Sequence, residues 1–466
     1  HGYHTSVRDE KLAVGRRQLM MDGPRIPVHD DEQMNCFLCH IPQPDYASRL
    51  EAIQSGEPEW SVTATLAGTG LVKKTADGYG WNGQQVAEDG EVELQLHPVS
   101  EANCGACHGK VHNGSDPLLV RLGKGEEWVT EKTGQVFSPQ LVSLSGMNLE
   151  AKDQLDIPWD VHAERLVSCA DCHYSRGRPE RLAGEVTVTS EAFTDGVRRR
   201  CESCHSLTGT HAWLPEKDKH FKAAACESCH VPELQMAAQQ SIDATVVRLD
   251  GTPQPSYRGV HGDVGDAGTA YIRGYRPLLR VGTDVNGEPQ VLPYNLVTRW
   301  FWVDQDSGEE VAADILARAW LSDEDYPEEI MQTFDTNRSR KLEADELRLD
   351  DYPKVALIKD RLLANGVKNP VIRGEVRAYH IHHNVRRGNR VSRDCARCHS
   401  NEKEGVSAFS LSTYRPGNMA PSLVTDTTDI VLDGEFLINS KGTLQFVPDH
   451  DVAQSYKART SRENAE

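Results

Sequence analysis

A mainly α and irregular fold, its chain wrapped around bulky groups other than its own side chains, is what this 466-residue sequence predicts. Three observations lead there. All 12 cysteines fall in six C-x-x-C-H motifs, aromatic residues are only 6% of the chain, and 37 glycines with 23 prolines interrupt it. A chain of this length ordinarily builds two or three domains, each around its own core. Here the apolar side chains are thin for the length, and large flat apolar bodies are expected to fill the deficit.

The motifs say what those bodies are. They are Cys36-Cys39-His40, Cys104-Cys107-His108, Cys169-Cys172-His173, Cys201-Cys204-His205, Cys226-Cys229-His230 and Cys395-Cys398-His399. C-x-x-C-H is the attachment signature of haem c. Two thiols three positions apart reach the two vinyl groups of one porphyrin, and the adjacent histidine presents its imidazole to the iron as proximal ligand. A lone C-x-x-C could be a zinc half-site or a redox pair, but neither chemistry requires a histidine after the second cysteine. No cysteine is left over for a disulfide, a zinc site or a lipid anchor. Six haem c groups are expected.

Composition narrows the setting. The formal charge is -19, which disfavours nucleic acid and anionic lipid and favours cations and basic partners. Haem c attachment implies export, and a chain beginning at His1 rather than Met fits one trimmed on export, to an extracellular or periplasmic location. No apolar run approaches the length of a membrane-spanning helix.

Along the chain, residues 1–160 are expected to hold the first two motifs with a short β insertion, and 161–235 the dense trio of motifs three to five. Residues 236–310 read as a haem-free β-rich insertion, 311–366 as an EF-hand-like helix-loop-helix, and 367–466 as the sixth motif with a hairpin and tail. Ser61 to Glu93 and Ala244 to Trp302 show the Thr, Val and Leu content and Gly turns of short strands. Trp300, Phe301 and Trp302 read as core or haem packing. Val311 to Phe334 and Leu347 to Asn365 carry apolar residues at helical spacing. Asp429-Ile430-Val431-Leu432 and Phe436-Leu437-Ile438 flank Asp433-Gly434 as a hairpin would, and the last ten residues read as a flexible tail.

Between the two helical segments lies a calcium-loop pattern. Asp335, Asn337, Ser339, Glu343 and Glu346 occupy positions 1, 3, 5, 9 and 12, and Lys341 offers its backbone carbonyl at position 7. Arg340 departs from the pattern, standing where the sharp turn normally takes glycine. Calcium is expected here in a structural role.

Thirteen of the 19 histidines lie outside the motifs, against six distal positions to fill. Position singles out His29 before the first motif, His112 after the second and His162 before the third. His211 and His220 lie between the fourth and fifth, and His380, His382 and His383 precede the sixth. His1, His4, His97, His261 and His450 are less favoured. A distal imidazole saturates the iron, leaving it able to exchange electrons but not to bind substrate.

Three stretches carry a resemblance. Asp160-Val-His162-Ala-Glu-Arg-Leu-Val-Ser-Cys169-Ala-Asp-Cys172-His173, Arg200 through His211, Trp213 and Pro215 to His230, and Gly374 through His383-Asn384-Val385 resemble large exported multihaem cytochromes. Their haem-core motifs are similar to those of octahaem tetrathionate reductase and hydroxylamine oxidoreductase. The resemblance implies that His383, directly before Asn384-Val385, is the distal ligand of its cluster. In the reductase relatives one haem keeps an open or lysine-ligated site, whereas here all six motifs end in histidine. His1 and His4 resemble the residues that ligate a neighbour's haem in extracellular cytochrome filaments. The function expected is long-range electron transfer outside the cytoplasm, with other redox proteins, terminal acceptors or further copies of the chain as partners and no catalytic residues. The competing expectation is a reductase or oxidase of small nitrogen or sulfur compounds using one unsaturated haem.

Overall fold

From Pro289 to Asp304 the sequence is a nearly continuous run of Val, Leu, Tyr, Trp and Phe, and it forms one 16-residue strand buried along almost its whole length. Around it the computed structural model builds a six-stranded sheet. The structure describes residues 37–54, 60–76, 78–82, 96–100, 103, 141–144, 149–165, 167–173, 199–262, 271–284, 287–322, 325–399, 408–424, 430 and 432–463.

In chain order the strands are β1 (Val72–Thr75), β2 (Gly78–Trp81), β3 (Ala238–Ala244), β4 (Gln254–Arg258), β5 (Val260–His261) and β6 (Tyr271–Ile272). Then come β7 (Leu278–Thr283), β8 (Pro289–Asp304), β9 (Pro370–His380), β10 (Phe409–Ser412), β11 (Ser422–Leu423), β12 (Gly434–Ile438) and β13 (Leu444–Pro448). The large sheet runs β11-β9-β8-β3-β4, with β7 also paired to β8. β9 lies antiparallel to β8 from Tyr294 opposite His380 to Asp304 opposite Pro370, while β3 runs parallel to β8 with Ser241 opposite Thr298.

This corrects the expectation of a mainly α and irregular fold with small β insertions. The described residues mix helices with a sheet large enough to own a core, and that sheet draws strands from both sides of the segment 311–366. The overall aromatic content is low because the few large rings are concentrated here. Trp300, Trp302, Trp320 and Phe334 are among the largest fully buried side chains. They pack with Leu296, Leu316, Ile330, Ile358, Leu362 and Val376 between the sheet and the helices Ala313–Trp320, Glu328–Phe334 and Tyr352–Ala364. Trp302 and Trp320 both donate their indole N–H to the carbonyl of Thr245, at 3.0 and 3.1 Å, so the two rings are pinned to one point of the backbone. Opposite Trp300 across the ladder stands Gly374, where a Cβ would fall inside the indole.

Other elements shift against expectation. The helical segment Val311 to Phe334 is two helices, and the second segment starts at Tyr352, capped by the Asp351 side chain with Pro in the first turn. The C-terminal hairpin is β12–β13, with Gly434 inside its first strand rather than in the turn. The expected tail is instead a helix, Val452–Glu463, whose Val452 and Tyr456 pack on Leu279, Val281 and Val291. Before β1, Ser61–Thr65 is helical; the hairpin β1–β2 follows as the turn residues suggest.

Asp243 lies in β3 at 2% exposure, its Oδ1 accepting hydrogen bonds from the Thr245 backbone N–H and hydroxyl. Burial outweighs those bonds and pushes its carboxyl up to about 7. The folded state therefore holds a proton that the unfolded chain releases, and stability falls as pH rises from the ordinary carboxylate range to about 7, then levels. Asp243→Asn is expected to remove about 3 kcal/mol of the stability lost between about pH 5 and about pH 8. Urea unfolding of both chains at the two pH values measures it; equal losses would refute a buried protonated Asp243.

Candidate haem sites

A C-x-x-C-H motif wound into one helical turn sets its two thiols on one face, with the histidine at the turn's end. The structure winds Cys169–Cys172 and Cys226–His230 as short α-helices and Cys201–Ser203 and Cys395–Arg397 as 3-10 turns. Local capping fixes them. Ser168 and Asp171 form a reciprocal capping box, and Asp394 accepts from the Ala396 N–H. None of the described cysteines is in a disulfide.

Four motif histidines face a second histidine. His173 meets His383 at 6.2 Å between ring centres, His205 meets His162 at 6.0 Å, His230 meets His211 at 6.1 Å and His399 meets His220 at 6.0 Å. A metal about 2 Å from a nitrogen of each ring sets two ring centres roughly 6 Å apart. The gaps and the donor set therefore fit an iron with two axial imidazoles, although every described partner lies on a different segment from the motif it serves. His162, just before the third motif, faces the fourth. His383, just before the sixth, faces the third.

The opposite ring nitrogens are held as well. His230 Nδ1 donates to the Arg386 carbonyl at 2.9 Å, His211 Nδ1 to Leu207 at 3.1 Å, His220 Nδ1 to Glu216 at 3.3 Å and His40 Nδ1 to His97 at 3.0 Å. His162 Nδ1 lies 3.3 Å from Asp160 Oδ1, and this carboxylate raises the imidazole's proton affinity. Burial has the reverse effect on His230, which is held below the ordinary histidine range. With Nδ1 occupied by an acceptor, Nε2 is the nitrogen available to a metal, which sets the tautomer. Sequence reasoning missed these partners, most of which are backbone carbonyls without a side-chain signature. Asp160, named in the sequence only within a stretch of resemblance, is shown by the structure to be the N-cap of the helix Val161–Glu164.

The sheet mounts two of the pairs. Strand β9 ends at His380 opposite Tyr294, and the Ile381 N–H donates to Pro293 at 2.9 Å, so His383 leaves the sheet from a fixed point. The helix Cys226–His230 docks on β8, with the Ala225 N–H and the Ser228 hydroxyl both donating to the Val291 carbonyl. The motifs also neighbour one another. Cys201 and Cys226 are within hydrogen-bonding reach, Cys172 lies beside Cys201 and Cys204, and Cys229 lies beside Cys395 and Cys398.

The rest of the histidine cluster goes elsewhere. His380 and His382 lie 3.6 Å apart between ring centres with their planes tilted by 58°, and His382 Nδ1 lies 3.2 Å from Glu227 Oε1. The three residues bring a ligand atom each within 4.8 Å of one another, which makes them a second donor cluster. Cys36, Cys104, Cys107, His108, His29, His112, His1 and His4 lie outside the described residues.

In the loop after Phe334, Asp335 accepts from the Ser339 and Arg340 N–H groups, and Asn337 from Ser339. The Lys341 carbonyl accepts from the Ser339 hydroxyl, and Glu343 supplies its N–H to Glu346. Glu346 Oε1 accepts from the Thr336 and Asn337 N–H groups at 2.9 and 3.0 Å. Loss of water opposes ionisation of Glu346, but these bonds prevail and hold it below the usual carboxylate range. The chain thus closes a loop of oxygen donors at the expected offsets. Arg340 adopts φ 61°, the left-handed conformation that glycine usually supplies.

No protein-family model matches the sequence, and neither does any curated protein. Among solved structures the chain is similar to octaheme cytochrome c from Shewanella oneidensis, with a TM-score of 0.33 and 13% identity, over 79% of this chain and 72% of that one. A likeness at that score carries no weight beside the histidine geometry.

Arg340→Gly is expected to stabilise the chain by about 1 kcal/mol, because a side chain in the left-handed region costs roughly that much. Denaturant titration of the variant measures it; a neutral or negative change would show that the arginine stem's packing outweighs its backbone cost.

Proposed function

We propose that the chain is a hexahaem c-type cytochrome that moves electrons over long range outside the cytoplasm. The observation that carries this reading is the set of four histidine pairs, each joining a C-x-x-C-H histidine to a histidine of another segment at 6.0–6.2 Å. Haem iron, when bound, supplies a one-electron couple. The cysteines of each motif hold the macrocycle, with His40, His108, His173, His205, His230 and His399 as proximal ligands. His383, His162, His211 and His220 serve the third to sixth motifs as distal ligands in that order, and His29 and His112 are the candidates for the first two. Two imidazoles per iron leave no face for a substrate, so the residues favour electron exchange over bond-making chemistry. The adjacency of Cys172 to Cys201, of Cys201 to Cys226 and of Cys229 to Cys395 supports a contiguous series from the third motif to the sixth.

Export follows from the attachment chemistry. Among the described residues no helix is long and apolar enough to cross a membrane. Transfer onward to other redox proteins, terminal acceptors or further copies of the chain belongs to the same reading. The reductase alternative needs an iron with one open face, and the sites of His40 and His108 are where it would have to sit. A calcium ion held by Asp335, Asn337, Ser339, the Lys341 carbonyl, Glu343 and Glu346 is also part of the proposal, as a brace between the helices Glu328–Phe334 and Tyr352–Ala364.

Near-infrared magnetic circular dichroism of the oxidised protein is expected to count six low-spin bis-histidine haems. His383→Ala is expected to convert one of them to high spin, while His380→Ala and His382→Ala leave all six unchanged. A full haem of high-spin signal in the wild type would promote the reductase.

Removing the charge at position 12 tests the loop. Glu346→Gln is expected to lower the calcium content by one ion per chain, read by elemental analysis of the purified protein. Unchanged metal content, or a wild type without calcium, would leave the loop as a hydrogen-bonded turn only.

A further inference from the structure

Asp160 has a place that none of the roles above uses. Its backbone is extended and it caps the helix Val161–Glu164, accepting from the His162 N–H at 2.8 Å. A helix cap needs only that bond. The same Oδ1 also lies 3.3 Å from His162 Nδ1, and Oδ2 accepts from the Val385 N–H at 2.8 Å. The Val161 N–H returns a bond to the Val385 carbonyl at 3.1 Å, so the two segments are laced together in both directions. Val385 stands two residues beyond His383, and the Asn384 between them is fully buried with φ 75°. Arg386 extends the link. Its guanidinium donates to the Pro158 carbonyl, and its backbone carbonyl holds His230 Nδ1. Asp160 is 4% exposed, which makes it a nearly buried carboxylate with one oxygen on each of two ligand-bearing segments.

We propose that Asp160 is a positioning residue shared by two haem sites, holding both the ring of His162 opposite His205 and the segment of His383 opposite His173, and so lowering the two potentials together. The inference rests on the haem reading above. A fixed negative charge favours the oxidised iron, and a carboxylate accepting from an imidazole N–H makes that imidazole a stronger donor to the metal. Withdrawing the charge removes both effects at the His205 site. At the His173 site it removes the Coulomb effect and weakens the bond to the Val385 N–H. At separations of several ångströms in a partly screened interior, one charge changes the oxidised-to-reduced ratio about tenfold.

The test uses the full holo chain and a potentiometric titration followed by electron paramagnetic resonance, which resolves individual low-spin haems. His162→Met and His383→Met identify the two signals, each by replacing nitrogen with sulfur at one iron. Asp160→Asn is expected to keep six low-spin haems, raise the potentials of those two by about a tenfold change in ratio, and leave the other four in place. Asp160→Glu, which retains the charge but displaces it by one methylene, is expected to shift the same two signals by less. If Asp160→Asn does not mature with six haems, Asp160→Glu alone decides, because moving the carboxylate by one methylene must still shift those two signals and no others. A shift at one site only, a uniform shift at all six or no shift at all would overturn the shared role. A wild type without bis-histidine signals would instead sink the haem reading beneath it.

Discussion

An iron with two axial imidazoles must be approached from opposite faces, and one short stretch of chain cannot do that. The C-x-x-C-H turn commits its own histidine to one face, so the second must come from elsewhere. Among the described residues four do so: His162 faces His205, His211 faces His230, His220 faces His399 and His383 faces His173. Four of the six motifs are thereby tied to other segments of the chain. Much of the backbone around them exists to bring those partners to the right distance.

The sheet answers that requirement for the most distant partner. Strand β9 is fixed against β8 over eleven residue pairs, and its end releases the chain at His380 with His383 three residues on. The same strand β8 receives the helix Cys226–His230 at Val291. Two sites are thus referred to one rigid element whose core is pinned by Trp302 and Trp320 on a single carbonyl. Asp160 and Arg386 then close the remaining gap, where a carboxylate and a backbone carbonyl hold the rings of His162 and His230.

Much of the site was legible in the sequence, because its chemistry demands particular residues at particular offsets. The motifs announced themselves, and His162, His211, His220 and His383 were each singled out by position or resemblance. Which histidine meets which motif was not legible. Proximity in sequence would have assigned His162 to the third motif, whereas the helix Val161–Glu164 turns it toward the fourth. The sheet was underestimated for a different reason. A strand buried on both faces has no alternation to display, and β8 falls in a stretch that reads as several short strands and not as one of 16 residues. The C-terminal helix was hidden by its polarity, since the contacts that hold it reduce to Val452, Ser455 and Tyr456 on an otherwise charged segment.

The crossing of partners between segments also orders events in time. On the proposed haem reading, the turn at Cys169–Cys172 is made well before residue 383, so its thiols would be available to a porphyrin while the strand that delivers His383 is still to come. Of the four pairs, His173–His383 is separated by the longest stretch of chain, and the pairing of β9 with β8 is what carries His383 to its place. Before that pairing, a haem held by the third motif would be capped on one side alone and open to small ligands. On that reading, the interval in which such a site stands half-ligated would be governed by the folding of a β-sheet as well as by the chemistry of attachment.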